Sequence, residues 1–320
     1  MDFLNKIDRQ KLQKIALIVI SALTLLALVL LLVIIILSSN GSSPSGDIDR
    51  PSTNNKDLEF KTETISADQL SKGSLVLVNM DHQYIIPTDL NLVQIYEYRE
   101  EHRGGEENAY NLTLSTHKLE SNAMAHAHDM LMDLGKSTGN HKIMISSAFR
   151  DYNEQSNYSI PAGHSDSHTG LIMALTVSGG ISSYLYDESN SDLNNWLNSN
   201  CYKYGFIVRY PADKTEITGV EDYTYAFRYV GIPHAQYMYE NNLCLEEYIE
   251  YLKTETDHKK PLEISAPDGH KYSVYYVDCS NGNYEIKTPE SIPNPDGSMK
   301  YSYTVSGTNE GGVIVTVTLS

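Results

Sequence analysis

The sequence predicts an α+β chain, and three observations carry that reading. Apolar residues recur at helical spacing in three separate stretches, 119–134, 194–204 and 245–252. Strand candidates stand between them, at 143–147, 205–211 and 225–231. From about Pro261 the pattern changes to short alternating strands alone, as in 272–277 and 313–318.

Ahead of these elements lies a different signal. Residues 15–37 are apolar but for Ser21 and Thr24. As a helix such a run spans about 35 Å, enough for a bilayer core, and it shows no polar face. It is too long for the core of a signal peptide and lacks a small-x-small site after it. Lys6, Arg9, Lys11 and Lys14 precede it, which places the N-terminus in the cytoplasm and the rest outside. The expected organisation is a cytoplasmic tail at 1–14, a membrane anchor at 15–37, a Ser/Asn/Pro-rich tether at 38–57, a main domain at 58–253 and a small β domain at 261–320.

The net charge of -17 excludes a broad nucleic-acid footprint, which needs clustered Lys and Arg. Three cysteines, Cys201, Cys244 and Cys279, with no paired spacing, read as buried free thiols rather than a disulfide framework. Twenty-four tyrosines against five phenylalanines suit a half-exposed, hydrogen-bonding surface.

In order along the chain, 74–79 reads as a short strand or an extended arm, followed by the turn-prone Pro87-Thr88-Asp89. The first helix places His126 and His128 two apart, hence on different faces, and Gly135 and Gly139 close it. The strand at 205–211 is ended by Pro211. Asn281-Gly282 and Asp296-Gly297 supply hairpin turns near the C-terminus.

The stretch richest in chemistry is Gly163-His164-Ser165-Asp166-Ser167-His168-Thr169-Gly170-Leu171, followed by the apolar Ile172–Leu175. His164, Asp166 and His168 offer imidazole and carboxylate within five residues, and in an extended segment alternate positions share a face. A metal site is one reading; surface or supporting histidines are the other.

Four blocks in order resemble the VanY-type D-Ala-D-Ala carboxypeptidases: Ser146–Gln155, Ser165–Leu175, Trp196–Pro211, and Phe227-Arg228-Tyr229-Val230-Gly231 with His234-Ala235. The resemblance covers roughly 70–253 and implies a central antiparallel sheet with helices. It also implies a zinc peptidase that removes terminal D-Ala from peptidoglycan stem peptides. There, two His and one Asp hold the metal, a Glu accepts the proton of the attacking water, and an Arg, a Gln and a Ser hold the substrate carboxylate and nearby peptide.

Carried over by position, Arg150, Gln155 and Ser165 are retained. The three ligand positions hold Ser167, Ala174 and Ala226, and the base position holds Tyr223. Alanine has no donor atom, serine is a poor zinc ligand, and a phenol of pKa about 10 is not poised as a base near pH 7. Only Ser156–Ala162 separates the first two blocks, a shortened rim. Arg150 suits either bidentate contact with a ligand carboxylate or an ion pair with Asp151 or Asp166. Tyr223 and Tyr225 either fill the volume of the lost metal site or stack on sugar or peptide.

The expectation is therefore a membrane-anchored, extracytoplasmic pseudoenzyme without a cofactor, which binds peptidoglycan stem peptides or an envelope protein partner. One alternative is an active carboxypeptidase with zinc held by His164, Asp166, His168 or His234. Another is a protein–protein scaffold of a membrane complex.

Overall fold

The computed structural model describes residues 58–104, 110–221, 223–290 and 299–319. In chain order the first elements are β1 (Phe60–Thr64), β2 (Leu92–Gln94), α1 (Ile95–His102), β3 (Asn111–Leu112), β4 (Lys118–Glu120) and α2 (Ser121–Thr138). Next come β5 (Ile143–Ser147), α3 (Tyr152–Gln155), β6 (Ile172–Val177), α4 (Ser191–Asn200), β7 (Phe206–Tyr210), α5 (Thr215–Thr218) and β8 (Tyr223–Tyr229). The last are α6 (Ile232–Asn241), α7 (Leu245–Glu255), β9 (Leu262–Ser265), β10 (Lys271–Asp278), β11 (Glu285–Pro289), β12 (Ser302–Gly307) and β13 (Gly312–Thr318).

The main sheet has strand order β3-β5-β6-β8-β7. Its β3–β5 pair is parallel and its other pairs are antiparallel. Helix α2 backs this sheet because Ala123, Ala127, Met130, Leu131 and Leu134 recur at three- and four-residue spacing and are buried. The Glu120 carboxylate accepts the N–H groups of Asn122 and Ala123 at its start, and Gly139 ends it in the left-handed conformation. Gly135 lies within the helix rather than closing it.

Strand alternation sorts β6 between two faces. Met173, Leu175 and Val177 join Phe227 of β8 in the core shared with α2 and α4. Ile172 joins Ala226 and Tyr210 in a small cluster apart from that core.

A second four-stranded antiparallel sheet, β12-β13-β10-β9, forms from the C-terminal strands. Its Val274, Tyr276 and Ile314 share a core with Ile207 and Val230 and with Tyr248, Ile249 and Leu252 of α7. Burying each such large apolar side chain is worth about 1.5–3 kcal/mol, so the shared core joins this sheet firmly to the helices. Residues 75–78 are buried but form no strand. That stretch runs as an arm, with Leu77 N–H donating to the Thr308 carbonyl. All three cysteines are buried free thiols. The Asp296-Gly297 turn lies outside the described residues.

The membrane topology needs correction. Among the described residues no helix is long and apolar enough to cross a membrane. The longest, α2, has 18 residues and reaches only about 27 Å. It carries Asp129, Asp133 and Lys136 on the side away from its apolar stripe. The anchor expected at 15–37 and its flanking tail and tether lie outside the described residues. The structure thus gives no support to a single-pass anchor, a membrane partner or an extracytoplasmic placement, and none is carried forward.

Candidate functional site

The end of β5 and the turn that enters β6 build the site. Glycine is required where the turn closes. Gly170 has φ +69°, and a Cβ there would lie 2.8 Å from Leu92 Cδ2 and 3.2 Å from the Glu120 nitrogen. Just before it, Asp166–Thr169 forms a single 3₁₀ turn, not the extended segment that would align 164, 166 and 168 on one face.

Each polar group of that turn has an assigned partner. Asp166 is buried between two guanidinium groups: Arg209 Nε donates to Oδ2 at 2.7 Å, and Arg228 donates to Oδ1. Arg209 then forks onto Glu246 at 2.8 and 2.9 Å. The result is a buried cluster of two cations and two anions, tying the turn to β7, β8 and α7. Arg228 also donates to the carbonyls of Ser74 and Val76, which fixes the irregular arm.

The histidines are similarly committed. His168 Nε2 accepts the Gly163 N–H at 3.0 Å, so Nδ1 carries the proton that is donated to the Arg150 carbonyl at 2.7 Å. Burial pushes its pKa below the usual histidine range. His164 Nδ1 lies 3.0 Å from the Asn79 carbonyl. His234 is buried, with Tyr248 Oη at 2.9 Å from one ring nitrogen and Thr316 Oγ1 at 3.1 Å from the other. Burial lowers its pKa to about 3. His128 contacts Tyr110 Oη at 3.0 Å, whereas His126 stacks on Tyr229.

Two of the three positions that the resemblance carries over from the zinc ligands lie side by side, but the chemistry of the three does not fit zinc. Ala174 and Ala226 are cross-strand partners in the β6–β8 pairing. Ala226 sits in an apolar cluster with Ile172 and Tyr210, and Val220 and Tyr223 pack against it. Burial raises the Tyr223 phenol, against the pull of nearby Arg150, so it is a poorer base than a free tyrosine. Its ring lies 4.5 Å from Tyr225 and 5.9 Å from Tyr210. Tyrosine thus occupies space beside the two methyl groups. Among the described residues no group of three His, Cys, Asp or Glu side chains is placed to hold a metal ion. Zinc needs imidazole, thiolate or carboxylate donors, and one serine hydroxyl with two alanines supplies none.

Ser167 has instead become a partner of Arg150, whose Nη2 donates to its Oγ at 2.8 Å. Arg150 Nη1 reaches Ser147 Oγ at 3.4 Å, and its Nε is buried without a hydrogen-bond partner among the described residues. Neither Asp151 nor Asp166 pairs with it: Asp151 caps α3, and Asp166 is held by the other two arginines. The guanidinium lines a cavity of about 550 Å³ with Ser147, Glu154 and Tyr158. Tyr158, from the segment that follows α3, lies over it with the ring centroid 3.9 Å from Cζ.

Gln155 and Ser165 do not join Arg150 in one cradle. Gln155 Nε2 donates to the Ile160 carbonyl at 2.7 Å, leaving its buried Oε1 unpartnered. Ser165 Oγ accepts the Ser167 N–H. The Tyr158 contact and the four-charge cluster went unread in the sequence. An Arg in each of two adjacent strands, with acids elsewhere, is a signal visible in the sequence, but its pairing is not.

The fold and site define a class: an α+β protein with the frame of a peptidase active site and, among the described residues, no metal-binding donor set. Comparison with known proteins gives the family. The family model for VanY, D-alanyl-D-alanine carboxypeptidase, matches residues 154–232. A D-alanyl-D-alanine carboxypeptidase of Enterococcus faecium is 33% identical over 266 residues, covering 80% of this chain and 78% of that protein. Another D-alanyl-D-alanine carboxypeptidase, from Enterococcus faecalis, is 41% identical over 87 residues, 27% of this chain and 30% of its own length. The vancomycin-resistance D,D-dipeptidase VanXYg shares the fold, with a TM-score of 0.63 at 24% identity over 81% of this chain and 99% of that one. The chain belongs to the VanY-type D-alanyl-D-alanine carboxypeptidase family.

Proposed function

We propose that this protein is a pseudoenzyme of its family, which binds a peptide ending in D-Ala-D-Ala, as in peptidoglycan stem peptides, and does not cleave it. The observation that carries the reading is a contrast within one site. Ala226, at one carried-over ligand position, lies in an apolar cluster with Ile172 and Tyr210, and Tyr223, at the carried-over base position, packs against it. Arg150 beside them still lines a cavity and has no ion-pair partner among the described residues.

A peptide carboxylate supplies what Arg150 lacks. A planar guanidinium offers a carboxylate parallel N–H donors, and hydrogen bonds to charged groups contribute about 1.5–3 kcal/mol. The Ser167 and Ser147 hydroxyls hold the guanidinium in place without neutralising it. Tyr158 covers one of its faces. The family relatives are named D-alanyl-D-alanine carboxypeptidases, which is why the D-Ala-D-Ala terminus is the proposed ligand.

The test uses the full chain with a pentapeptide ending in D-Ala-D-Ala and the same peptide with a C-terminal amide. The free acid should bind, and both the amide and the Arg150→Ala variant should weaken binding by about ten- to a hundredfold. No free D-Ala should appear with zinc added. Stoichiometric zinc in the purified protein together with chelator-sensitive D-Ala release would make it a hydrolase and end this reading.

A further inference from the structure

A second cleft lies elsewhere in the described chain. It is a cavity of about 620 Å³ and shares no lining residue with the one at Arg150. Its walls come from both sheets: Asn122 and His126 of α2, Tyr229 of β8, Asp268 in the turn between β9 and β10, and Tyr272 of β10.

Side chains in this cleft are arranged in polar–aromatic pairs. The His126 imidazole stacks on Tyr229 at 5.0 Å and 26°, and Asn122 Nδ2 donates to Tyr229 Oη at 3.1 Å. Opposite, Tyr272 Oη donates to Asp268 Oδ2 at 2.6 Å. Neither ring nitrogen of His126 has a hydrogen-bond partner among the described residues, and burial keeps the ring's pKa low against the pull of Asp129 and Asp268. At neutral pH the imidazole therefore presents one donor and one acceptor.

The charges in the wall are already committed. Lys72 is paired with Asp68 at 2.8 Å and Asp89 at 2.9 Å. Glu120 is spent on the N–H groups at the start of α2. Among the described residues of the wall no unpaired lysine or arginine is left for a phosphate or carboxylate, and the remaining acid, Asp268, already accepts a phenol. What stays available is aromatic surface bordered by an amide, a neutral imidazole and hydroxyl groups such as Thr304 and Thr318. Aromatic rings take the C–H faces of a pyranose, and amide, imidazole and carboxylate take its hydroxyls. The volume falls within the range of small-ligand sites, about 300–1,000 Å³.

We infer that this cleft is a binding site for an uncharged saccharide, held by Tyr272, His126, Asn122 and Asp268. The inference goes beyond the peptide-binding reading and rests on different residues, so either can fail alone.

Calorimetric titration of the full chain with two probes, a β-1,4-linked N-acetylglucosamine tetramer and cellotetraose, tests it. At least one should bind at a single saturable site. Tyr272→Ala and His126→Ala should each weaken binding by about tenfold, and Asp268→Asn, on an exposed turn, by severalfold. Arg150→Ala should leave saccharide binding unchanged, and Tyr272→Ala should leave D-Ala-D-Ala peptide binding unchanged. Failure of both saccharides to bind at millimolar concentration overturns the proposal. So does wild-type affinity in Tyr272→Ala and Asp268→Asn, or saturable binding of a cation such as arginine amide in place of the sugars.

Discussion

Replacing Asp166 by Asn removes one negative charge from a cluster that is otherwise balanced, and the consequence can be worked out. Arg209 and Arg228 are fully buried, and Asp166 is 2% exposed. Asn retains an acceptor for one guanidinium but loses the carboxylate shared by two. The cluster then holds two cations against Glu246 alone. Breaking a buried ion pair by removing one partner costs about 3–5 kcal/mol, because a charge stays buried without compensation. Against a typical unfolding free energy of about 5–15 kcal/mol, that is a large share. In a unit of this size it lowers the midpoint of thermal unfolding by roughly 6–20 °C. Glu246→Gln, at the solvent side of the same cluster, should cost less, since water reaches that end. Urea unfolding followed by circular dichroism measures both. A loss below about 1 kcal/mol for Asp166→Asn would show that the carboxylate is not integral to the fold. Asp166 would then be free for the ligand role that the histidine-rich stretch suggests.

Other expectations follow from the same geometry. Stability should fall as the medium is acidified from pH 6.5. His234 takes up a proton near 6.5 when unfolded and only near 3 when folded, so the unfolded state binds more protons throughout that window. The loss by pH 4.5 is about 2–3 kcal/mol from this residue, and His234→Gln should flatten the slope of a denaturation series over pH 4.5–6.5. Tyr223→Ala should cost about 3 kcal/mol in urea unfolding by opening a void beside Ala226. Adding zinc to that variant should not restore the loss. Restoring the family's ligands with Ser167→His, Ala174→Asp and Ala226→His should produce zinc binding measurable by elemental analysis. It should also cost stability in the metal-free protein, because Ala226 is fully buried and overpacking costs about 1–3 kcal/mol.

Periodic and turn signals in the sequence located much of the fold. The strand at 143–147 appears as β5 with the same bounds. Helix α7 begins at Leu245 as the apolar spacing implied, and runs three residues past 252. Helix α6 went unread, although Pro233 in its first turn and Asn242 in the left-handed conformation at its end are start and stop signals. The order of the four family blocks was also legible, because local motifs survive in linear order.

The sequence by itself determined which atoms are absent from the ligand and base positions of the family: a methyl group at 174 or 226 offers no lone pair, whatever surrounds it. The tertiary structure decided everything that depends on a partner distant in the chain. Asp166, His164, His168 and His234 stayed open to a ligand reading as well as the favoured supporting one, until Arg209, Arg228, Asn79, Gly163 and Tyr248 were seen to occupy them. A side chain's donors and acceptors are fixed by its covalent structure, but how many remain available depends on which neighbours the fold brings within about 3 Å. By the same count Arg150 emerged as a guanidinium with no ion-pair partner among the described residues, and the second cleft exists only because two sheets distant in sequence share a wall.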